Sequence, residues 1–315
     1  MLPSTPHRRS SSSSSSFHST PILASGAKQP GSQARKQEDL IADMKSELGD
    51  AVYQSDNLFE KIFPAHPHVD RITERVKKAK RKFAFPKNTT ESHYYEPFAE
   101  LLNTIIDAMN SLGLLTDEHI YKHLRFETYD KPMNAGTDTD DPIKPDLIAR
   151  QRDPSNSKPL RQPASWKEVE FCVEVKDQWA PLIAQAATYA RCILAFQRNR
   201  RFVPVIFFKH SSMEVKFGVY TASWVCISST ALNIADKNPD GFKKLVGEMA
   251  RIIDCKSRWS AGFDSTCNNQ FIHIPGAGLY KFTENMCNRQ TVRGRRTRVD
   301  LIEKVKGKTE TGKTG

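Results

Sequence analysis

The chain lacks any apolar run of membrane-spanning length. Its longest, FVPVIFF (202–208), is far short of the ~20 residues needed to cross a bilayer. A membrane partner is therefore excluded, and the chain reads as soluble. It also lacks a CxxC pair and a secretory leader. The six cysteines, Cys172, Cys192, Cys226, Cys255, Cys267 and Cys287, read as reduced intracellular thiols, several of them in the core. The location is nuclear or cytoplasmic. HPH (66–68) and HIYKH (119–123) each present two imidazoles. Neither has a cysteine or carboxylate at zinc-ligand spacing.

Acid is missing where base is dense. Residues 1–37 carry five Lys/Arg and no acid, and residues 289–315 carry nine Lys/Arg against three acids. These tails account for the whole net charge of +11, so residues 38–288 are neutral and the basic composition says little about the folded part. Hydrophobic residues make up only 38%, which predicts disordered ends. The first 37 residues, with RRSSSSSSSFHST, cannot bury enough apolar surface to order themselves. One internal basic run, RVKKAKRK (75–82), is either a solvated helix face or a contact for a phosphate backbone.

What is present has helical period first. Leu40, Ile41, Met44 and Leu48 begin one helix, and Ile72, Val76, Ala79 and Phe83 fit a second. The third carries Phe98, Leu101, Leu102, Ile105, Ile106 and Met109, with Pro97 in its first turn. The period then changes to two. KPDLIAR (144–150) reads as a short strand, followed by the turn-rich loop 150–165. WKEVEFCVEVKD alternates, placing Val169, Phe171, Val173 and Val175 on one face and Glu168, Glu170, Cys172, Glu174 and Lys176 on the other. A helix over roughly 180–199, the strands VPVIFFKH and VKFGVYTA, the helix PDGFKKLVGEMARIID and the strand-and-turn QFIHIPGAGLYKF complete the order. That order predicts an α/β fold, a mixed central sheet flanked by helices.

Alternation alone predicts a strand with one wet face. Three features add chemistry. Asp146 precedes Glu174 by 28 positions, and two carboxylates meeting at one sheet edge call for a cation such as Mg²⁺ or Mn²⁺. Lys176 projects to the same side as Glu174, where its ammonium can orient a water or stabilise charge on a phosphate. Gln185 and Tyr189 lie four apart on the following helix and so share a face. Lys144, Arg150, Arg191 and the 75–82 run could border such a cleft.

Pro145-Asp146, Glu174-Val175-Lys176 and Gln185-xxx-Tyr189 together resemble the PD-(D/E)xK nuclease superfamily, the last pair its RecB-like branch. The resemblance implies a restriction-endonuclease-like core over 91–288, with 38–90 as an N-terminal helical extension. It implies Asp146 and Glu174 as metal ligands, Lys176 as the catalytic lysine, and Gln185 and Tyr189 lining the site. Glu91 or Glu96 would be a further acid from a helix. Nucleic acid is the implied partner.

A second resemblance spans about residues 70–300. ESHYYEPFAELLNTI, EVEFCVEVKD, QAATYARCILAFQRNRRFVPVIFF and NPDGFKKLVGEMARI are similar to the region preceding the kinase domain in fungal-type protein kinases. RQTVRGRRTRV (289–299) looks like the strand and Gly-rich turn that open that kinase domain, with Arg296 where a second glycine belongs. VYTASW stands where the family has an Asp-Arg turn. No HRD-like loop, DFG or VAIK-type lysine occurs in the sequence. Kinase activity is therefore not expected of this chain, and 289–315 reads as a basic tail that starts a truncated kinase-like lobe. The alternative to a nuclease is a non-catalytic module that binds a kinase domain or another protein. GKTETGKT (307–314) matches a P-loop pattern, but no helix follows to hold phosphates.

Overall fold

A computed structural model of the protein describes residues 37–49, 51–86, 90–129, 131–133, 143–152, 164–268, 270–288 and 298–305. The Ser-rich tail, most of the 150–165 loop, the Gly-rich turn and the P-loop-like tail lie outside the described residues.

The centre is one mixed sheet. Its strands are β1 (Val52–Gln54), β2 (Leu124–Thr128), β3 (Leu147–Gln151), β4 (Val169–Lys176), β5 (Phe202–Lys209), β6 (Glu214–Thr221), β7 (Val225–Ile227) and the short β8 (Leu232–Asn233). Their order is β1-β7-β6-β5-β4-β3-β2, with β8 paired to β6. The β4–β5 and β1–β7 pairs are parallel and the rest antiparallel. A parallel pair needs a long crossover. The one between β4 and β5 is α5 (Trp179–Phe196).

Helices cover both faces. On one lie α2 (Leu58–Ile62), α3 (Val69–Lys78), α4 (Tyr95–Ser111) and α6 (Pro239–Ile253), which share a core with Val173, Val175, Ile206 and Phe208. On the other lie α5 and α1 (Gln37–Leu48), which share a core with Cys172, Val205 and Phe207. The segment 38–90 contributes an edge strand to the main sheet as well as helices to both layers. The helix expected across Ile72–Phe83 stops at Lys78 and continues as a 3-10 turn, Lys80–Phe83. That tightening sets Phe83 against Phe242 of α6, with ring centroids 6.4 Å apart. At the start of α6 the Asn238 side chain accepts the Gly241 N–H at 3.0 Å. A Cβ on Gly241 would collide with the Asn233 carbonyl of β8.

A second, three-stranded antiparallel sheet follows, in the order β11-β10-β9, from β9 (Phe271–Ile274), β10 (Gly278–Asn288) and β11 (Arg298–Lys304). Arg198, just past α5, meets it by an ion pair to Asp300 at 3.1 Å and by stacking over Phe282 at 4.3 Å. No helix among the described residues is long and apolar enough to cross a membrane.

Candidate functional site

The wet face predicted for β4 is not there. The strand is central, its two faces are covered by α4 and α5, and Glu174 is 0% exposed. The alternation of apolar and polar residues therefore does not mark solvent. Glu174 is a carboxylate inside the protein, in register with Phe207 of β5. Its two oxygens have no hydrogen-bond partner. Oε1 lies 3.2 Å from the Lys176 ammonium, an ion-pair distance without hydrogen-bond alignment.

Antiparallel pairing of Leu147 with Val173 brings Asp146 to the same end of the sheet. Asp146 Oδ2 accepts the Val175 N–H at 2.9 Å and sits 3.5 Å from Lys176 Nζ. Glu91, in the 3-10 turn Glu91–Tyr94 before α4, supplies the third acid, its Oε1 2.6 Å from Lys176 Nζ. The Tyr95 hydroxyl donates to the same Glu91 oxygen at 2.7 Å. The ammonium also donates to the Val175 carbonyl at 3.0 Å. Three carboxylates from three separate elements thus converge on one lysine.

The charges follow this enclosure. Burial, then the neighbouring Asp146 charge, pushes the Glu174 carboxyl well above the ordinary range. Burial also raises Asp146, against the opposing pull of Lys176. Burial works to lower Lys176, but the charges of Glu174 and Asp146 and the hydrogen bond to Glu91 outweigh it and hold the ammonium above its usual range. Burial, then the Glu174 charge, raises the Tyr189 phenol.

A stability result follows from Glu174. As pH rises past the ordinary carboxyl range near 4.3, an unfolded chain releases this proton while the folded chain retains it. Stability then falls with rising pH until the folded carboxyl ionises. Glu174→Gln removes this penalty. Near neutral pH the variant melts above the wild type, and the gap narrows toward pH 4. Thermal unfolding across that range checks it.

Gln185 and Tyr189 meet as their spacing predicts. Gln185 Nε2 donates to the Tyr189 hydroxyl at 2.8 Å, which donates to the Lys144 carbonyl at 3.0 Å. Through that carbonyl α5 fixes the backbone leading to Asp146. Of the two acids considered on the helix, Glu91 joins the site. Glu96 accepts instead from Thr128 of β2 at 3.0 Å. Arg150 is buried beside Glu127, Nε to Oε1 2.6 Å, and does not line the cleft. Arg191 is also buried, within α5. Within the 75–82 run, Arg75, Lys77, Lys78, Lys80 and Arg81 are exposed, with Lys77 paired to Glu74 at 3.0 Å and Lys80 to Asp236 at 2.6 Å. Tyr95 was not anticipated as a site residue, although its i, i+4 spacing from Glu91 was readable. Asp177 and His210, at the ends of β4 and β5, were also missed. Their His210 Nε2 and Asp177 Oδ1 atoms lie 2.9 Å apart, an ion-pair distance without hydrogen-bond alignment. Among the described residues no group of three or more His, Cys, Asp and Glu is arranged to hold a metal ion as the side chains stand.

The fold and site define an α/β protein with a lysine-centred acidic cluster at one end of a mixed sheet. The family model described as fungal protein kinase matches residues 144–308, more than half of the chain, and the protein belongs to that family. No curated protein and no solved structure matches the chain.

Proposed function

We propose that this chain carries a restriction-endonuclease-like, PD-(D/E)xK module whose site, Asp146, Glu174, Lys176 and Glu91, hydrolyses phosphodiesters of nucleic acid with Mg²⁺ or Mn²⁺. The observation that carries the reading is the convergence of Glu91, Asp146 and Glu174 on the Lys176 ammonium. The residues fit a hard cation. The donors are carboxylate oxygens, and both Glu174 oxygens lack hydrogen bonds. Mg²⁺ is commonly held by one or two protein carboxylates and its own waters, so Asp146 and Glu174 suffice as ligands, with Glu91 beside them. When bound, the cation would polarise the phosphate and its attacking water.

The chain's own groups have distinct tasks in this reading. The Val175 N–H holds Asp146, and Tyr95 holds Glu91. Lys176 supplies positive charge to the phosphate and orients water. Gln185 and Tyr189 fix the entry to β3. Isothermal calorimetry with Mg²⁺ and Mn²⁺ tests it. The expected result is binding by the wild type and none by Asp146→Asn/Glu174→Gln. A wild type that binds neither ion overturns it.

One observation favours a second reading. The place between the carboxylates is already filled by the chain's own ammonium, and residues 38–288 carry no net charge to attract a polyanion. A non-catalytic module that docks a kinase domain or another protein has this character. Absence of cation binding in the wild type would support it.

A further inference from the structure

The neutrality of residues 38–288 as a whole conceals one local concentration of base. It lies where the turn that follows α6 packs against the entry to β5. Lys256, Arg258 and Trp259 are exposed there, Trp259 to 55%. The Arg201 guanidinium stacks over the Trp259 ring, 3.4 Å from its centre. Its Nη2 donates to the Trp259 carbonyl at 2.6 Å. The Arg258 guanidinium lies 4.1 Å from the centre of the Phe263 ring, and the buried Arg200 lies 4.2 Å from the same centre. Cations and aromatic rings thus interleave on one exposed turn.

The turn is held in one shape. The Gly262 N–H donates to the Trp259 carbonyl at 3.1 Å, the Phe263 N–H to the Arg258 carbonyl at 2.8 Å, and the Arg201 N–H to the Gly262 carbonyl at 2.8 Å. Gly262 has φ +89°, and a Cβ there would press on the Phe202 ring at 2.9 Å. A ligand meeting this surface therefore has little to order. The cations are also uncommitted. Among the described residues Arg201, Lys256 and Arg258 form no ion pair within 4.0 Å, and the acids of the same region are engaged elsewhere. Asp264 accepts from the Thr266 N–H and hydroxyl at 2.8 and 2.7 Å, and Asp254 is bonded to His119 at 3.0 Å.

We propose that Arg201, Lys256, Arg258 and Trp259 form a docking surface for single-stranded nucleic acid. A base stacks on the side of the Trp259 ring that Arg201 leaves open, and the flanking phosphates lie against Lys256 and Arg258. Unpaired cations call for an anionic partner, and a half-exposed indole calls for a flat one. In a duplex the bases cover one another's faces, so a single strand fits better. The surface is at the Phe202 end of β5, whereas Lys176 lies in register with Lys209 at the other end. Eight strand residues at ~3.3 Å each put about 25 Å between them. The surface is thus separate from the acidic cluster and does not depend on how that cluster is read.

Fluorescence anisotropy of labelled oligothymidylate, titrated with the full chain in EDTA, tests it. The wild type is expected to bind the single strand more tightly than a duplex of the same length. Trp259→Ala should weaken binding by about ten- to a hundredfold, and Trp259→Phe by less, because a ring remains. Lys256→Gln and Arg258→Gln should each reduce the slope of log affinity against log salt by about 0.7, with the melting temperature unchanged. These two surface variants carry the test if Trp259→Ala does not fold. Asp146→Asn/Glu174→Gln should bind oligothymidylate as the wild type does. A wild type that does not bind, or that binds the duplex as tightly, overturns the inference. Variants that all bind like the wild type place the binding on the basic tails and overturn it too. Displacement of the oligonucleotide by polyglutamate at equal charge marks a surface for an acidic protein, with the same consequence. A wild type that holds oligothymidylate but binds no Mg²⁺ overturns the reading of the acidic cluster and leaves this inference standing.

Discussion

Replacing Lys176 with methionine is expected to destabilise the folded chain by about 3–5 kcal/mol at pH 7, the range for removing one partner of a buried ionic cluster. The lysine is the shared counter-charge of Glu91, Asp146 and Glu174. Without it, those of the carboxylates that are ionised together repel one another with no cation between them. The direction with pH identifies the cause. Burial already raises Asp146 and Glu174, and loss of the ammonium raises them further. The folded variant then holds more protons than the unfolded chain between about pH 4 and 7, so its stability returns as pH falls. Denaturant unfolding at pH 7 and pH 5 measures this. The variant should recover much of its deficit at the lower pH, more steeply than the wild type does. A deficit independent of pH would reduce Lys176 to a packing residue, and no deficit would remove it from the centre of the cluster.

Truncation of Phe208 to alanine should be about as severe, roughly 3–5 kcal/mol, and independent of pH. Phe208 is buried in β5 and stacks on Phe98 of α4, with centroids 4.2 Å apart and planes 13° from parallel. Phe85 and Tyr94 close round it at 5.7 and 6.3 Å. This group of rings seats the start of α4 on the sheet, and Glu91 and Tyr95 are carried by that start. The substitution leaves a cavity the size of a phenyl ring and loosens the third acid of the site. Differential scanning calorimetry gives the stability loss. For the proposed cation site, a Mn²⁺ affinity below that of the wild type in a Phe208→Leu variant that still folds would show that the seat matters to the site as well as to the core.

Much of the central architecture was legible. The sequence KPDLIAR, the alternating WKEVEFCVEVKD, the apolar VPVIFFKH and VKFGVYTA, and the helix between them appear as β3, β4, β5, β6 and α5, with boundaries within three residues. Local period was sufficient there because each segment packs its own apolar residues directly onto a neighbour. The short strands were not legible. β1, β7 and β8 have two or three residues each, too few for a period to show, and they exist because the sheet offers them partners. β2 and β11 are longer but were hidden in polar sequence, LRFET and RVDLIEK.

By itself the sequence determined which side chains could do chemistry and roughly where each lay on its element: Asp146 before a strand, Glu174 and Lys176 two apart, Gln185 and Tyr189 four apart. It could also not separate Glu91 from Glu96, nor tell a wet strand face from a buried one. Tertiary structure decided both. Covering β4 on two sides turned an ordinary alternation into an enclosed carboxylate, because burial depends on what packs against a strand and not on the strand's own pattern. The antiparallel register of β3 on β4 joined Asp146 to Lys176, and the parallel register of β4 on β5 joined Asp177 to His210. Such pairings are made between residues distant in the chain. Local propensity carries no record of them, since the free energy that selects them comes from surfaces that meet only when the chain is folded.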